Sequence, residues 1–262
     1  MNRYARLLTL FWTTSVAQEM EYRLNFLLAL LSSLGSAAGG LFGLSLFYRT
    51  GHALSGWTFP EAVAVLGVFT LLQAFSRALL FPNLNRIVDH VQYGTLDFIL
   101  LKPVDSQFWI SLRILSPWGL PDALMGCALL IWAMHQVGVS LRALAVVLPA
   151  LLAALLILYG LWFFLASLTI WFVKIYNVTY VLQSFLEAGR FPVGAYPALF
   201  RLFFTFVIPV AFLTTIPART AVGRATGDPA TLGLAWLLGG ILFVLSRLFW
   251  RFALRFYTSA SS

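Results

Sequence analysis

Six long apolar runs, separated by short polar segments, organise this chain: approximately Leu24 to Phe47, Ala62 to Phe81, Pro117 to Met134, Leu144 to Val173, Leu199 to Ile216 and Leu232 to Phe249. A helix crosses the hydrocarbon of a bilayer in about 20 mostly apolar residues, and none of these runs alternates apolar with polar positions as a barrel strand would. The pattern predicts an all-α membrane protein with six transmembrane helices, a single membrane domain over residues 1–262. The fourth run is longer than a bilayer requires and is expected to tilt or protrude.

Three amphipathic stretches interrupt the apolar ones. Tyr4, Leu7, Leu8, Phe11 and Trp12 fall at helical spacing opposite Asn2, Arg3, Arg6, Thr9 and Thr13, which predicts an N-terminal helix over residues 1–20 lying in the membrane interface. Between the second and third runs, Leu84, Ile87, Val88 and Val91 form a stripe opposite Asn85, Arg86, Asp89, His90 and Gln92. This predicts a short helix in an ordered loop over residues 83–106. Gly94 is placed to end it in the left-handed conformation, Thr95 to cap a second turn, Pro103 to stop that turn, and Asp105 or Ser106 to cap the next helix. A third stripe, Val178, Val181, Leu182, Phe185 and Leu186, precedes RFPVGAYP (190–197), two prolines and a glycine in irregular backbone. Residues 175–198 are therefore expected as a second surface helix and an irregular segment.

Composition agrees with a membrane location: hydrophobic residues make up 61% and charged residues 10% of the chain. The net charge of +8 does not point to nucleic acid, because the cations stand singly at the ends of apolar runs. They report orientation instead, since cytoplasmic ends collect Lys and Arg. An N-terminus on the cytoplasmic side places thirteen there (Arg3, Arg6, Arg23, Arg77, Arg86, Lys102, Arg113, Lys174, Arg190, Arg201, Arg247, Arg251 and Arg255) against Arg49, Arg142, Arg219 and Arg224 outside. Six spans return the C-terminus to the cytoplasm.

Candidate chemistry is sparse. The single cysteine, Cys127, allows no intramolecular disulfide, and His52, His90 and His135 lie far apart in sequence, so neither a metal site nor a hydrolytic constellation is indicated. Asp122 is the one carboxylate inside a nominal span. Such a group is by default a functional candidate, but it lies close to the span's start, and Arg113 falls on the opposite helix face, so a structural or solvated role is expected. Gly35, Gly39 and Gly43 recur every fourth residue, a spacing that lets helices approach closely, within this chain or against a second one, with the former slightly favoured. Arg247, Arg251 and Arg255 are expected to snorkel to lipid headgroups, and Trp57, Trp109, Trp118, Trp132 and Trp250 to sit at the interfaces. A phosphate-binding loop requires Gly-x-x-x-x-Gly-Lys-Ser/Thr, and the only lysines, Lys102 and Lys174, have no such context. If the chain moves a solute with ATP, a different polypeptide must hydrolyse it.

Three blocks carry a resemblance: EYRLNFLLALL (21–31), QYGTLDFILLKPVDSQF (92–108), and RFPVGAYPALFR leading into FTFVIPVAFLTTIPA (190–218). In this order and spacing the chain resembles the permease subunits of bacterial type-2 ATP-binding-cassette exporters, in the short six-span branch. The resemblance implies a coupling helix between spans two and three. Arg86, Asp89, His90, Tyr93, Gly94, Thr95, Asp97, Lys102 and Pro103 would then transmit the stroke of separate ATPase subunits. It also implies a second permease subunit, a multi-pass location in the bacterial inner membrane among its lipids, ATP and Mg2+ held only by the partner, and a gate around Pro209 and Pro217. The readings that compete with it are an ion-gradient-driven transporter, a membrane-embedded lipid-modifying enzyme, and an assembly factor.

Overall fold

The computed structural model describes residues 3–21, 23–50, 54, 56–172, 176–224 and 229–258, and these are helical apart from turns and short connections. Helix α1 (Arg3–Glu19) precedes α2 (Arg23–Arg49), α3 (Phe59–Gln92) follows, and two short helices, α4 (Leu96–Leu100) and α5 (Ser106–Leu112), lead to α6 (Pro117–Gln136). Then come α7 (Leu144–Ile170), α8 (Tyr176–Glu187), α9 (Ala198–Val207), α10 (Ala211–Ala221) and α11 (Pro229–Ala253). Five of these, α2, α3, α6, α7 and α11, are long and apolar enough to cross a membrane, and α9 with α10 would make a sixth if the bent pair counts as one span. The chain is an all-α membrane protein.

The long helices run alternately between two faces of the bundle. One face, called here the N-terminal face, carries α1, the end of α3, α4, α5 and the end of α11. The other carries the α2–α3, α6–α7 and α10–α11 connections. Helix α6 sets the depth scale: its 20 residues span about 30 Å, one bilayer core. Gly126, at its middle, lies so close to α3 that a Cβ there would come 2.9 Å from the Leu71 amide nitrogen and 3.0 Å from the Gly67 carbonyl. Residues 67–71 of α3 therefore mark the midplane.

Helix α3 differs from the expectation of a span followed by a separate surface helix. It continues as one helix of 34 residues, about 50 Å, so that its last turns project beyond the bilayer. A wider turn at Ser76–Leu80, in which the Phe81 amide bonds the Ser76 carbonyl, absorbs the register change before Pro82. The predicted stripe is observed: Leu84, Ile87, Val88 and Val91 are all buried. Leu84, Ile87 and Val91 join Leu96, Ile99, Ile110, Trp162, Leu182, Leu186 and Trp250 in a core at the N-terminal face. A second core near the other face packs Leu44 and Ala62 to Leu66 against Leu130, Met134, Val147, Ala218 and Ala221.

The fifth apolar run does not form a straight span. Its two helices, α9 and α10, meet at 79°. Pro209 has no N–H to donate and pushes the preceding residue out of the helical region, and Ile208 is accordingly extended at φ −118°, ψ 103°. Pro217 sits in the first turn of a helical segment and bends nothing. The stripe before Gly189 also departs from the surface position expected for it. Helix α8 climbs into the bundle: Leu182 and Leu186 are buried, Glu187 meets Gln73, and Gly189 packs on Val210 and Thr214 of the bent pair. The Val178 and Val181 side chains, Lys174, and residues 225–228 lie outside what is described.

Candidate functional site

The end of α3 and the following turns form an ordered tip on the N-terminal face. Gly94 adopts φ +67°, the left-handed conformation in which it reverses the chain. Thr95 does not cap α4; its hydroxyl is 2.7 Å from His90 Nδ1, tying the turn back to α3. Leu96 and Ile99 are buried, anchoring α4 on the core. Asp105 caps α5 as expected, accepting the Phe108 amide at 2.9 Å.

What this anchoring leaves outward is apolar. Tyr93, Phe98 and Leu101 are 70%, 68% and 81% exposed on a part of the molecule that lies beyond the bilayer. Gln92, Lys102 and Pro103 are exposed beside them, Asp89 and His90 are half-buried, and Asp97 lies close enough to Tyr257 that its charge, after burial, raises the phenol's pKa. Lys102 places its ammonium 4.6 Å from the centre of the Trp109 ring. Arg86 stands apart, further up α3. It lines a polar cavity of about 400 Å3 with Ser15, Gln18, Glu19, Asn25 and Arg113, between α1 and the start of α2. The predicted coupling residues thus divide between the tip and this cavity.

The tip is fastened to the bundle by a polar clamp that the sequence did not reveal. Arg247 of α11 donates from Nη1 to Asp105 Oδ1 at 2.6 Å, and its Nη2 donates to the other carboxylate oxygen. It also reaches Gln107, whose amide donates to the Tyr159 hydroxyl at 3.0 Å, and Trp250 donates to Ser106 at 3.0 Å. These bonds hold the Asp105 carboxyl below the usual aspartate range, the Arg247 hydrogen bonds being the largest cause, opposed by burial. The snorkelling expected for Arg247 is therefore replaced by an ion pair, while Arg251 and Arg255 remain exposed. Trp250 and Trp57 are buried against the protein.

Helix α1 packs along α5 and its continuation. Phe11 meets Trp109 edge-on, the Trp12 indole donates to the Leu112 carbonyl, and the Leu115 amide donates to the Ser15 hydroxyl. The apolar stripe of α1 thus lies at least partly on the protein.

Asp122 is paired with Arg77 of α3 at 2.7 Å, its side chain 4% exposed, so it is held by the protein and not solvated. The Gly35–Gly39–Gly43 stripe faces away from the chain's own bundle: a Cβ at any of the three meets nothing within 4 Å. Intrachain packing of α2 uses Ser33, Ala37, Gly40 and Leu44 instead, which reverses the preference for a contact within one chain. At the opposite face Arg224 grips Glu61 at 2.6 and 2.7 Å and the Gly56 carbonyl at 2.7 Å, closing the bent pair onto the start of α3.

Comparison with curated proteins and with solved structures returned no match. A family model described as ABC-2 family transporter protein matches residues 34–261, from the outward glycine stripe of α2 through the tip, the bent pair and α11. The chain is a multi-pass membrane permease that belongs to the ABC-2 transporter family.

Proposed function

We propose that this permease is the membrane half of an ATP-driven exporter whose ATPase subunits are separate chains docking on the tip. The observation that carries the reading is the exposed Tyr93, Phe98 and Leu101, three large apolar side chains held on a rigid support outside the membrane. Exposed apolar groups on an ordered surface fit a protein partner. ATP and Mg2+ belong to that partner, because this chain has no lysine in a phosphate-binding loop. A second permease, identical or related, packs on the Gly35–Gly39–Gly43 face, and both termini lie in the cytoplasm of a bacterial cell. Purification of the tagged chain in mild detergent is expected to bring an ATPase subunit with it. Replacing Tyr93, Phe98 and Leu101 together by serine is expected to cut that recovery at least about tenfold, as loss of a central apolar anchor does. Undiminished recovery with the triple variant would place the docking surface elsewhere.

A further inference from the structure

Glu187 and Arg190 form an ion pair of 2.9 Å at a depth where charge is costly. The Arg190 guanidinium lies 5.3 Å from the centre of the Phe69 ring, within the midplane residues of α3. Glu187 Oε1 accepts from the Gln73 amide at 3.3 Å, about one helical turn toward the N-terminal face. Neither side chain is sealed inside the protein: Glu187 is 50% exposed and Arg190 27%. A half-exposed carboxylate a few ångströms from the midplane is not stable against lipid tails, so this side of the bundle faces water or a polar group. The nearby backbone supports the same conclusion. Residues 188–197 are short turns and extended links, with the Val193 amide bonded to the Thr215 hydroxyl, and irregular backbone at membrane depth is tolerated where it lines a cavity or is buried in protein.

We propose that Gln73, Glu187 and Arg190 form a polar station halfway along a water-accessible route, and that the carboxylate receives the head of a passing amphiphile that is cationic or donates hydrogen bonds. The more exposed member of the pair is the acceptor, which sets that preference; Arg190 holds it in place from the protein side and is itself held over Phe69. The proposal deepens the transport reading by naming a substrate chemistry, but its test does not depend on the ATPase.

The experiment uses the full chain in liposomes with Cys127→Ser and either Gln73→Cys or, as a lipid-facing control near the same depth, Leu124→Cys, whose native side chain is 64% exposed. A permanently charged methanethiosulfonate reagent is expected to modify Gln73→Cys about tenfold faster than Leu124→Cys, and dodecylammonium to slow that reaction about tenfold, the scale of a hydrogen bond to a charged acceptor. Dodecanoate should not protect, and Glu187→Gln should abolish the protection while leaving the labelling. Equal labelling at the two positions, or spontaneous disulfide crosslinking of Gln73→Cys between copies, would overturn the proposal, the latter by showing that a second chain covers the station. Protection by dodecanoate equal to that by dodecylammonium would overturn the assigned chemistry. Labelling and protection found as expected, alongside a purification that brings no ATPase subunit, would leave the station standing and remove the ATP-driven reading.

Discussion

At the scale of single residues, the contacts around Gly119, Gly35 and Asp105 give opposed expectations for small changes. A Cβ on Gly119 would lie 2.4 Å from the Ala74 carbonyl oxygen and 2.9 Å from the Ala78 Cβ, so Gly119→Ala must push α3 and α6 apart. It is expected to cost about 1–3 kcal/mol, read as a lower Tm in detergent. Gly35→Ala has open space and should leave Tm unchanged or slightly raised. Asp105 adds a pH dependence. Its folded pKa is depressed chiefly by Arg247, whereas an unfolded aspartate titrates near ~3.9, so the ion pair contributes fully above that value and is lost as pH falls through the lower folded one. Asp105→Asn should therefore lower Tm at neutral pH, and the gap from the parent protein should begin to narrow below about pH 4 and vanish only below the depressed folded pKa. The capping role of Asp105 was legible from its place after Lys102 and Pro103. Its partner was not, because Arg247 lies 142 residues away.

At the scale of elements, periodicity identified faces correctly and assigned their neighbours less well. The stripe of Leu84, Ile87, Val88 and Val91 is buried as expected, yet its helix continues α3 instead of lying in a separate surface piece. Neither Pro82 nor the wide turn at Ser76–Leu80 interrupts the helix, since that turn makes room before the proline and the Ala78 carbonyl, which Pro82 leaves without its helical donor, accepts from the Ser116 amide at 2.9 Å. Pro209 has the opposite effect because it follows a completed segment and Ile208 must become extended. The glycines of α2 make the corresponding prediction for assembly. Gly39→Leu is expected to leave the fold of one chain intact, since nothing in the chain lies within 4 Å of the added atom, and to abolish crosslinking between copies or with the second permease. Crosslinking that survives this change would show that another face makes the contact.

For the whole molecule, alternation of the long helices places the tip, the end of α11 and α1 on one face. Impermeant maleimide applied to intact cells, in a Cys127→Ser background, is expected to label Ser140→Cys and to miss Gln92→Cys and Thr258→Cys. Moving Arg190 from the cytoplasmic end to mid-depth removes one charge from the orientation count without altering its sign. Membrane residence, the long apolar helices and the ordered tip were legible in the sequence alone. Each rests on a run, a local period or a short motif, and such features need only neighbouring residues to be read. Only the tertiary structure decided that Asp122 belongs to Arg77 and Asp105 to Arg247, that the glycine stripe turns outward, and that Glu187 and Arg190 stand beside Gln73 and Phe69 of α3. Those facts depend on which helix lies beside which and at what depth, and an apolar run in lipid carries no local pattern that specifies its neighbour.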